Sequence, residues 1–434
     1  MLNRKGFSIA VALGFLILPS VVSAQNSSIN AYSPYSFFGL GDFATQGTAN
    51  LRAMGGAGVA YREATTINYM NPASFSSIRR KSALFNVGLE GQNFYLKSSD
   101  KKSSFNTFNI RDVAFAIPLA EKLGMGISVT PLSSVGYKIN NKVIDPNIGQ
   151  IGYSYNGEGD VVQAKLGIGY ELYKNLSIGA ELVYYFGSID RYSIWEITEV
   201  NGSETYEDGM IYMEENYSRL LPSFGLQYNI PLEQDKRALT LGATFQPETK
   251  LNPKIIRSVP TSDSNNDFGD YVLYEEYRDK DLTMPAVIAA GAYYHTTKIS
   301  IGADYVYQGW KGSNKEPEGL QYSFRNTSTI RGGIQYTPDR GDIRNFMKRV
   351  TYRAGIRYSD YYLTVRGHNI SDKAITLGVG LPFKRAGFSN VDLGVELGQR
   401  GTTKNNLIKE TYFRFSIGLS LFGNDFWFVK PKFD

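Results

Sequence analysis

The sequence predicts an all-β protein, a transmembrane antiparallel β-barrel of about fourteen strands with an N-terminal segment held in its lumen. Three observations predict it. From about residue 81 onward, apolar and polar side chains alternate with a period of two. The alternating runs are long, where a globular strand averages about five or six residues. Tyrosine, present 31 times, clusters near run ends, as at Tyr184-Tyr185, Tyr293-Tyr294 and Tyr361-Tyr362, where an interfacial girdle would sit.

Composition narrows the class. The 434 residues hold no Cys and two His, so disulfide scaffolds, thiolate metal sites and multi-His metal sites are out. No cofactor and no metal are expected. A net charge of +5 is not that of a nucleic-acid binder. Mean hydropathy of −0.26 argues against a bundle of membrane helices. An aromatic content of 14% is far from that of a disordered chain.

Residues 1–24 read as a secretory signal peptide. Arg4 and Lys5 precede an apolar stretch, Phe7 to Leu18, and Val22-Ser23-Ala24 is a small-x-small cleavage site. The stretch is short of the roughly 20 residues a spanning helix needs. Any membrane residence of the exported chain must then come from strands.

Residues 25–80 do not alternate. Gly39, Gly41, Gly55, Gly56 and Gly58, with Pro34 and Pro72, rule out a long strand, yet Phe37, Phe38, Met54 and Met70 need burial. The natural place is the barrel lumen, as a plug.

The barrel is expected over 81–423. Along Leu176–Phe186, Leu176, Ile178, Ala180, Leu182 and Tyr184 share one face, and Ser177, Gly179, Glu181 and Tyr185 the other. Near the end, Phe413, Phe415, Ile417 and Leu419 oppose Arg414, Ser416, Gly418 and Ser420. A soluble sandwich alternates too, with its apolar face inward. Here the polar face carries glycine, serine and charge, which suits a wet lumen. Strand centres fall near Val87, Phe115, Ile127, Leu166, Leu182, Leu226, Ala243, Ala290, Ala303, Gly333, Gly355, Gly378, Gly394 and Gly418. Polar stretches at about 199–212, 258–282, 311–321 and 340–348 read as loops. Lys165, Glu171, Glu181, Asp304, Arg331, Arg353, Arg357, Asp392, Glu396 and Arg414 face inward with mixed sign, which favours ion-pair ladders holding the plug over an ion-selective ring. Pro118 and Pro131 lack an amide donor and mark either strand ends or breaks in the ladder. Residues 424–434 form a short tail, with Trp427, Lys430 and Lys432 suited to a headgroup region.

The run Arg52-Ala53-Met54-Gly55-Gly56-Ala57-Gly58-Val59-Ala60, followed by Asn71-Pro72-Ala73, resembles the N-terminal hatch of the FadL/TodX-like outer-membrane transport family. Tyr32-Ser33-Pro34-Tyr35-Ser36, Gly39-Leu40-Gly41-Asp42 and the tail Asn424 to Phe433 resemble its Bacteroidota branch, which is related to PorV-like barrels. The resemblance implies a fourteen-stranded barrel in a Gram-negative outer membrane and a hatch gated by Gly55, Gly56, Gly58, Asn71, Pro72 and Ala73. It implies uptake of hydrophobic small molecules, long-chain fatty acids or aromatics, with lateral release through a kinked wall. Pro131 is then the candidate for the opening, and Phe37, Phe38, Met54 and Met70 for the ligand pocket. Expected partners are a hydrophobic small molecule or lipid and the outer-membrane lipids, with no nucleic acid. The alternative is a non-transporting subunit of an outer-membrane protein secretion or assembly complex, as Bacteroidota relatives are. His295 and His368 have no arrangement of nucleophile and base around them, so no enzyme is expected.

Overall fold

Every strand of a sheet whose outer face meets lipid must find partners for its backbone on both sides, and closure is the way to do it. The structure, a computed structural model, describes residues 32–99, 101–200, 207–233, 236–260, 271–279, 282–312, 322–383 and 389–423, with backbone only at 198–200. The expected signal peptide, 1–24, and the expected tail, 424–434, lie outside the described residues.

Fourteen strands form the wall: β1 (Ala83–Lys97), β2 (Lys102–Ala120), β3 (Leu123–Asp145), β4 (Gly149–Tyr173), β5 (Leu176–Val200), β6 (Gly209–Glu233), β7 (Arg237–Gln246), β8 (Val287–Thr296), β9 (Ile299–Gln308), β10 (Thr327–Tyr336), β11 (Thr351–Val365), β12 (His368–Pro382), β13 (Asn390–Arg400) and β14 (Lys409–Gly423). Each pairs antiparallel with its neighbours, and β14 closes on β1 from Ala83–Gly423 to Lys97–Lys409. The fourteen centres read from alternation fall one in each strand. Among the described residues no helix is long and apolar enough to cross a membrane.

The polarity of the wall is inverted relative to a soluble barrel. Ile356 is 62% exposed and Leu397 59%, while Glu181, Asp392 and Glu396 are buried at 4%, 3% and 7%. Such a cylinder is stable where its outside meets hydrocarbon and its inside holds the polar groups.

One end of the barrel, called here the near end, has short connections such as Glu121–Lys122 and Lys174–Asn175; Lys122 and Asn175 take the positive φ such tight turns need. At the far end, β3 to β6 run 23 to 25 residues, well beyond the roughly 9–11 needed to cross. They are joined there by a hairpin, Lys254–Pro260 with Tyr271–Arg278, that pairs onto β6. Within the stretch 258–282 read as loop, residues 258–260 and 271–278 are therefore strand, and 261–270 lie outside the described residues. Two of its carboxylates, Glu276 and Glu275, have cross-strand partners in Lys254 at 3.1 Å and Arg257 at 4.0 Å. Gly209–Tyr212, also read as loop, begin β6.

The tyrosine pairs divide. In the first two, one ring faces out and its neighbour in, as strand geometry requires: Tyr184 is 41% exposed, whereas Tyr185 and Tyr293 are 1%. Tyr361 and Tyr362 are both buried, because β11 bulges between Asp360 and Thr364 and turns both rings into the lumen.

Candidate functional site

Residues 32–78 lie inside the wall. They form a 3-10 turn (Pro34–Phe37), a two-residue strand (Asp42–Phe43), one helical turn (Ala49–Arg52) and a second 3-10 helix (Pro72–Ser77), most of them buried and nearly all the rest half-buried. What lets them approach is a belt of inward glycines. A Cβ on Gly179 would collide with the Ala73 amide, on Gly169 with the Pro72 carbonyl, and on Gly225 with Asn71 Oδ1. Across the barrel, Gly333 meets the Met54 carbonyl and Gly355 the Gly55 amide. Missing side chains on the wall are filled by backbone of the segment.

Asn71 is the hub of the turn. Its side-chain oxygen accepts from the Ala73 amide at 3.1 Å and caps the 3-10 helix begun by Pro72. Its Nδ2 donates to Val59 O at 2.8 Å and to the wall carbonyls of Leu226 at 3.2 Å and Ala243 at 3.4 Å. Asn71→Ala takes the side-chain acceptor from the buried Ala73 amide and removes the donor to Val59 O, which keeps Gln227, a cost of roughly 1–3 kcal/mol. Hydrogen exchange should then read at least about a tenfold loss of protection at the Ala73 amide; unaltered protection would refute this role.

The glycines of the preceding run have separate reasons. Gly55 and Gly56 take φ of +69° and +83°, the left-handed region that favours glycine. At Gly58 a side chain would strike Met70 Sδ. The wall answers the backbone here: Asp304 accepts from the amides of Gly58 at 2.6 Å and Val59 at 2.9 Å.

Most of the charges expected to face inward are paired as ladders, while Asp304 and Arg331 bond to the segment's backbone instead, Arg331 donating to Gly56 O at 3.4 Å. Arg357 meets Glu396 at 2.6 Å, Arg414 meets Glu396 at 2.9 Å, Arg353 meets Asp392 at 2.7 Å and Lys165 meets Glu181 at 3.3 Å. One network joins segment to wall. Arg52, 4% exposed, donates to Asp112 at 2.9 Å and Gly47 O at 2.6 Å and lies 3.5 Å from Glu90. Arg111 and Asp112 both point inward because β2 carries an irregular register against β1 at Gly88–Leu89. Two adjacent polar residues in an alternating run were the available signal for that bulge.

The four residues expected to line one pocket separate. Phe37 and Phe38 pack into a far-end aromatic cluster, Phe37 with Tyr137 and Phe38 with Tyr322 at centroid distances of 5.0 and 4.6 Å. Met54 is fully buried against the wall. Met70 alone lines a cavity of about 240 Å³, which it shares with Phe43, Leu132, Met284 and Tyr362 and with charged groups such as Asp372, Arg357 and Arg400. Sequence reasoning missed Phe43, Tyr362 and Trp310, whose rings meet at 4.8–5.5 Å above it.

The wall beside this cavity is interrupted. The β2–β3 ladder runs from Ala120–Leu123 to Val113–Val129 and stops. Pro131 follows at once, with a register shift against β4 between Pro131 and Ser133. Pro118 lies next to the near-end turn and marks a strand end. Past the break, the edge of β3 is taken by the segment: Asp42 pairs with Ser134 and Phe43 with Ser133, the Ala44 amide donates to Leu132 O at 2.9 Å, and the Ser33 amide to Gly136 O at 2.9 Å. The opposite side of the segment is held by Arg400 against Asp42 at 2.8 Å and by Ser33 Oγ donating to Glu410 at 2.6 Å.

The fold has solved relatives. The Pseudomonas putida toluene transporter TodX is similar at TM-score 0.60 and 16% identity, over 88% of this chain and 99% of that one. The Ralstonia pickettii toluene transporter TbuX gives 0.57 and 15%, over 87% and 98%. A Pseudomonas aeruginosa FadL homologue gives 0.54 and 12%, over 89% and 99%. At such identities the likeness is one of fold. No curated protein matches the sequence. The BamG profile matches residues 5–434, nearly the whole chain, and the chain belongs to the BamG family.

Proposed function

We propose that the protein is an outer-membrane barrel of a Gram-negative bacterium that passes hydrophobic small molecules sideways through its wall. One observation carries the reading. The β2–β3 ladder ends at Val113–Val129, and the gap is bridged by residues 33–44 directly beside an internal cavity. An apolar solute gains roughly 25 cal/mol per Å² it buries, so a route from cavity to lipid is cheaper than one through water. Residues 32–78 act as the plug, the Gly55–Gly58 run and the Asn71-Pro72-Ala73 turn seat it, and Pro131 marks the lateral opening. The cavity, about 240 Å³ and lined by charged as well as apolar side chains, has room for a ring-sized cargo; a long acyl chain requires the plug to move. TodX and TbuX, named as toluene transporters, agree with a cargo of that size.

A disulfide lock tests the reading. Phe43 and Ser133 are ladder partners, and such pairs lie within disulfide reach. In this Cys-free chain, Phe43→Cys with Ser133→Cys, oxidised in proteoliposomes, should abolish uptake of a toluene-sized probe, and reduction should restore it. Equal uptake in both states rules out gating by this segment.

The second reading, a subunit of an outer-membrane assembly or secretion complex, is favoured by the filling of the far half of the lumen with Tyr137, Tyr185, Tyr217, Trp310 and Tyr361. The family's name and the Bacteroidota-like motifs lean the same way. Co-purification of protein subunits from native membranes, with no uptake by the reconstituted barrel, would decide for it.

A further inference from the structure

The longest near-end connection among the described residues, Thr337 to Val350, is an ordered loop that displays apolar and basic side chains together. Ile343 is 92% exposed, Met347 58% and Phe346 41%. The loop is nevertheless rigidly built. Asp342 accepts from the amides of Arg344 at 2.8 Å and Asn345 at 2.7 Å, Asn345 Oδ1 accepts from the Met347 amide at 3.0 Å, and the Asp339 amide donates to Lys348 O at 2.8 Å. These bonds, with Lys348 beside it, hold the Asp342 carboxyl below the usual carboxylate range. A flexible loop could hide such side chains; this one holds them out.

Its position is at the rim of the apolar belt. The Met347 carbonyl accepts from Tyr352 Oη at 3.3 Å, and Tyr352 faces outward on β11 beside outward Tyr336 of β10. Below them on the same face are Ile334 and Ile356. The charges are arranged for an anion. Arg340 reaches Glu63 at 4.0 Å and Lys348 reaches Asp342 at 3.2 Å, while Arg344 and Arg349 have no acidic partner among the described residues. Arg349 stacks on the Phe346 ring at 5.3 Å, and its Nε is shielded from water with no hydrogen-bond partner.

We infer that the 337–350 loop is a lipid-docking element that seats Ile343, Phe346 and Met347 in the acyl boundary of the leaflet at the near end and binds the phosphate of an anionic phospholipid with Arg344 and Arg349. The inference rests on the membrane reading given above. Apolar side chains flanked by guanidinium groups at the end of a lipid-facing belt match the layered chemistry of a leaflet, acyl chain below and phosphate above. A soluble protein partner does not require that match in depth.

The absence of Cys makes a depth measurement direct. Nitroxide labels are placed by Ile343→Cys and, as a belt reference, by Ile356→Cys, in vesicles of phosphatidylethanolamine with phosphatidylglycerol. Oxygen and a water-soluble nickel complex then report depth. The expected result is a label at 343 at the headgroup–acyl boundary and one at 356 deeper. Arg344→Ala with Arg349→Ala should move the 343 label outward and lose phosphatidylglycerol retained in native mass spectrometry, about tenfold below the parent. A 343 label open to the nickel complex while 356 is buried overturns the inference alone. Both labels open to it would overturn the membrane reading with it. Shielding of 343 that needs added soluble protein assigns the loop to a protein partner and also overturns the inference.

Discussion

Arg52→Ala should release the N-terminal segment from the wall and make the barrel leak. The guanidinium is buried between Asp112 and Glu90, and Asp112 is fully buried. Removing one partner of a buried charge pair costs about 3–5 kcal/mol, because the remaining charge stays desolvated. Here two carboxylates would be left, with Arg111 at 3.4 Å from Glu90 compensating for only one. Asp112 sits one residue from Val113, the last residue of β2 that pairs with β3, so the loss falls at the base of the wall's interruption. Proteoliposomes carrying the variant should admit small polar solutes that the parent excludes. Adding Asp112→Asn should recover part of the seal, since the orphaned charge is then gone. A tight Arg52→Ala barrel would mean that the segment is held by its backbone contacts alone.

Gly179→Leu should have a comparable effect by a different route. The new side chain would need the space of the Ala73 amide, and it has no alternative: Gly169 and Gly225, the cross-strand partners of Gly179, are pressed by the same turn. Overpacking costs about 1–3 kcal/mol where side chains can move, and here the obstacle is backbone. The Asn71-Pro72-Ala73 turn should unseat, with protease cleavage appearing within 32–78 and conductance rising. Ile178→Leu, one residue away on the outward face, should do neither. A Gly179→Leu barrel with a protected segment would disprove the seating described here.

Much of this was legible in the sequence because a strand repeats every two residues whatever its partner. Leu182 and Glu181 had to face opposite ways, and the length of the runs with the glycine, serine and charge of the polar face favoured lipid outside over a soluble sandwich. The Asn71-Pro72-Ala73 turn was legible as local chemistry, a cap followed by a helix-starting proline. Contacts between distant residues were not. Ser33 meets Glu410 across 377 positions, and nothing local in either marks the other. The expected pocket of Phe37, Phe38, Met54 and Met70 grouped residues by hydrophobicity, whereas the fold sorts them by height in the lumen. Tyr361 and Tyr362 were assigned to a girdle because a bulge that turns both inward leaves strand propensity unchanged.

The glycine belt also bears on the order in which the molecule is made. Its seat touches the newest and the oldest parts of the chain: Ala49 rests on Gly418 of the final strand, and Tyr35 Oη donates to Ile408 O just before that strand begins. The stretch that precedes the first strand of the wall therefore completes its contacts only with the last strand in place. A seat shared by both ends of the wall thus couples the docking of the N-terminal segment to the closing of the cylinder.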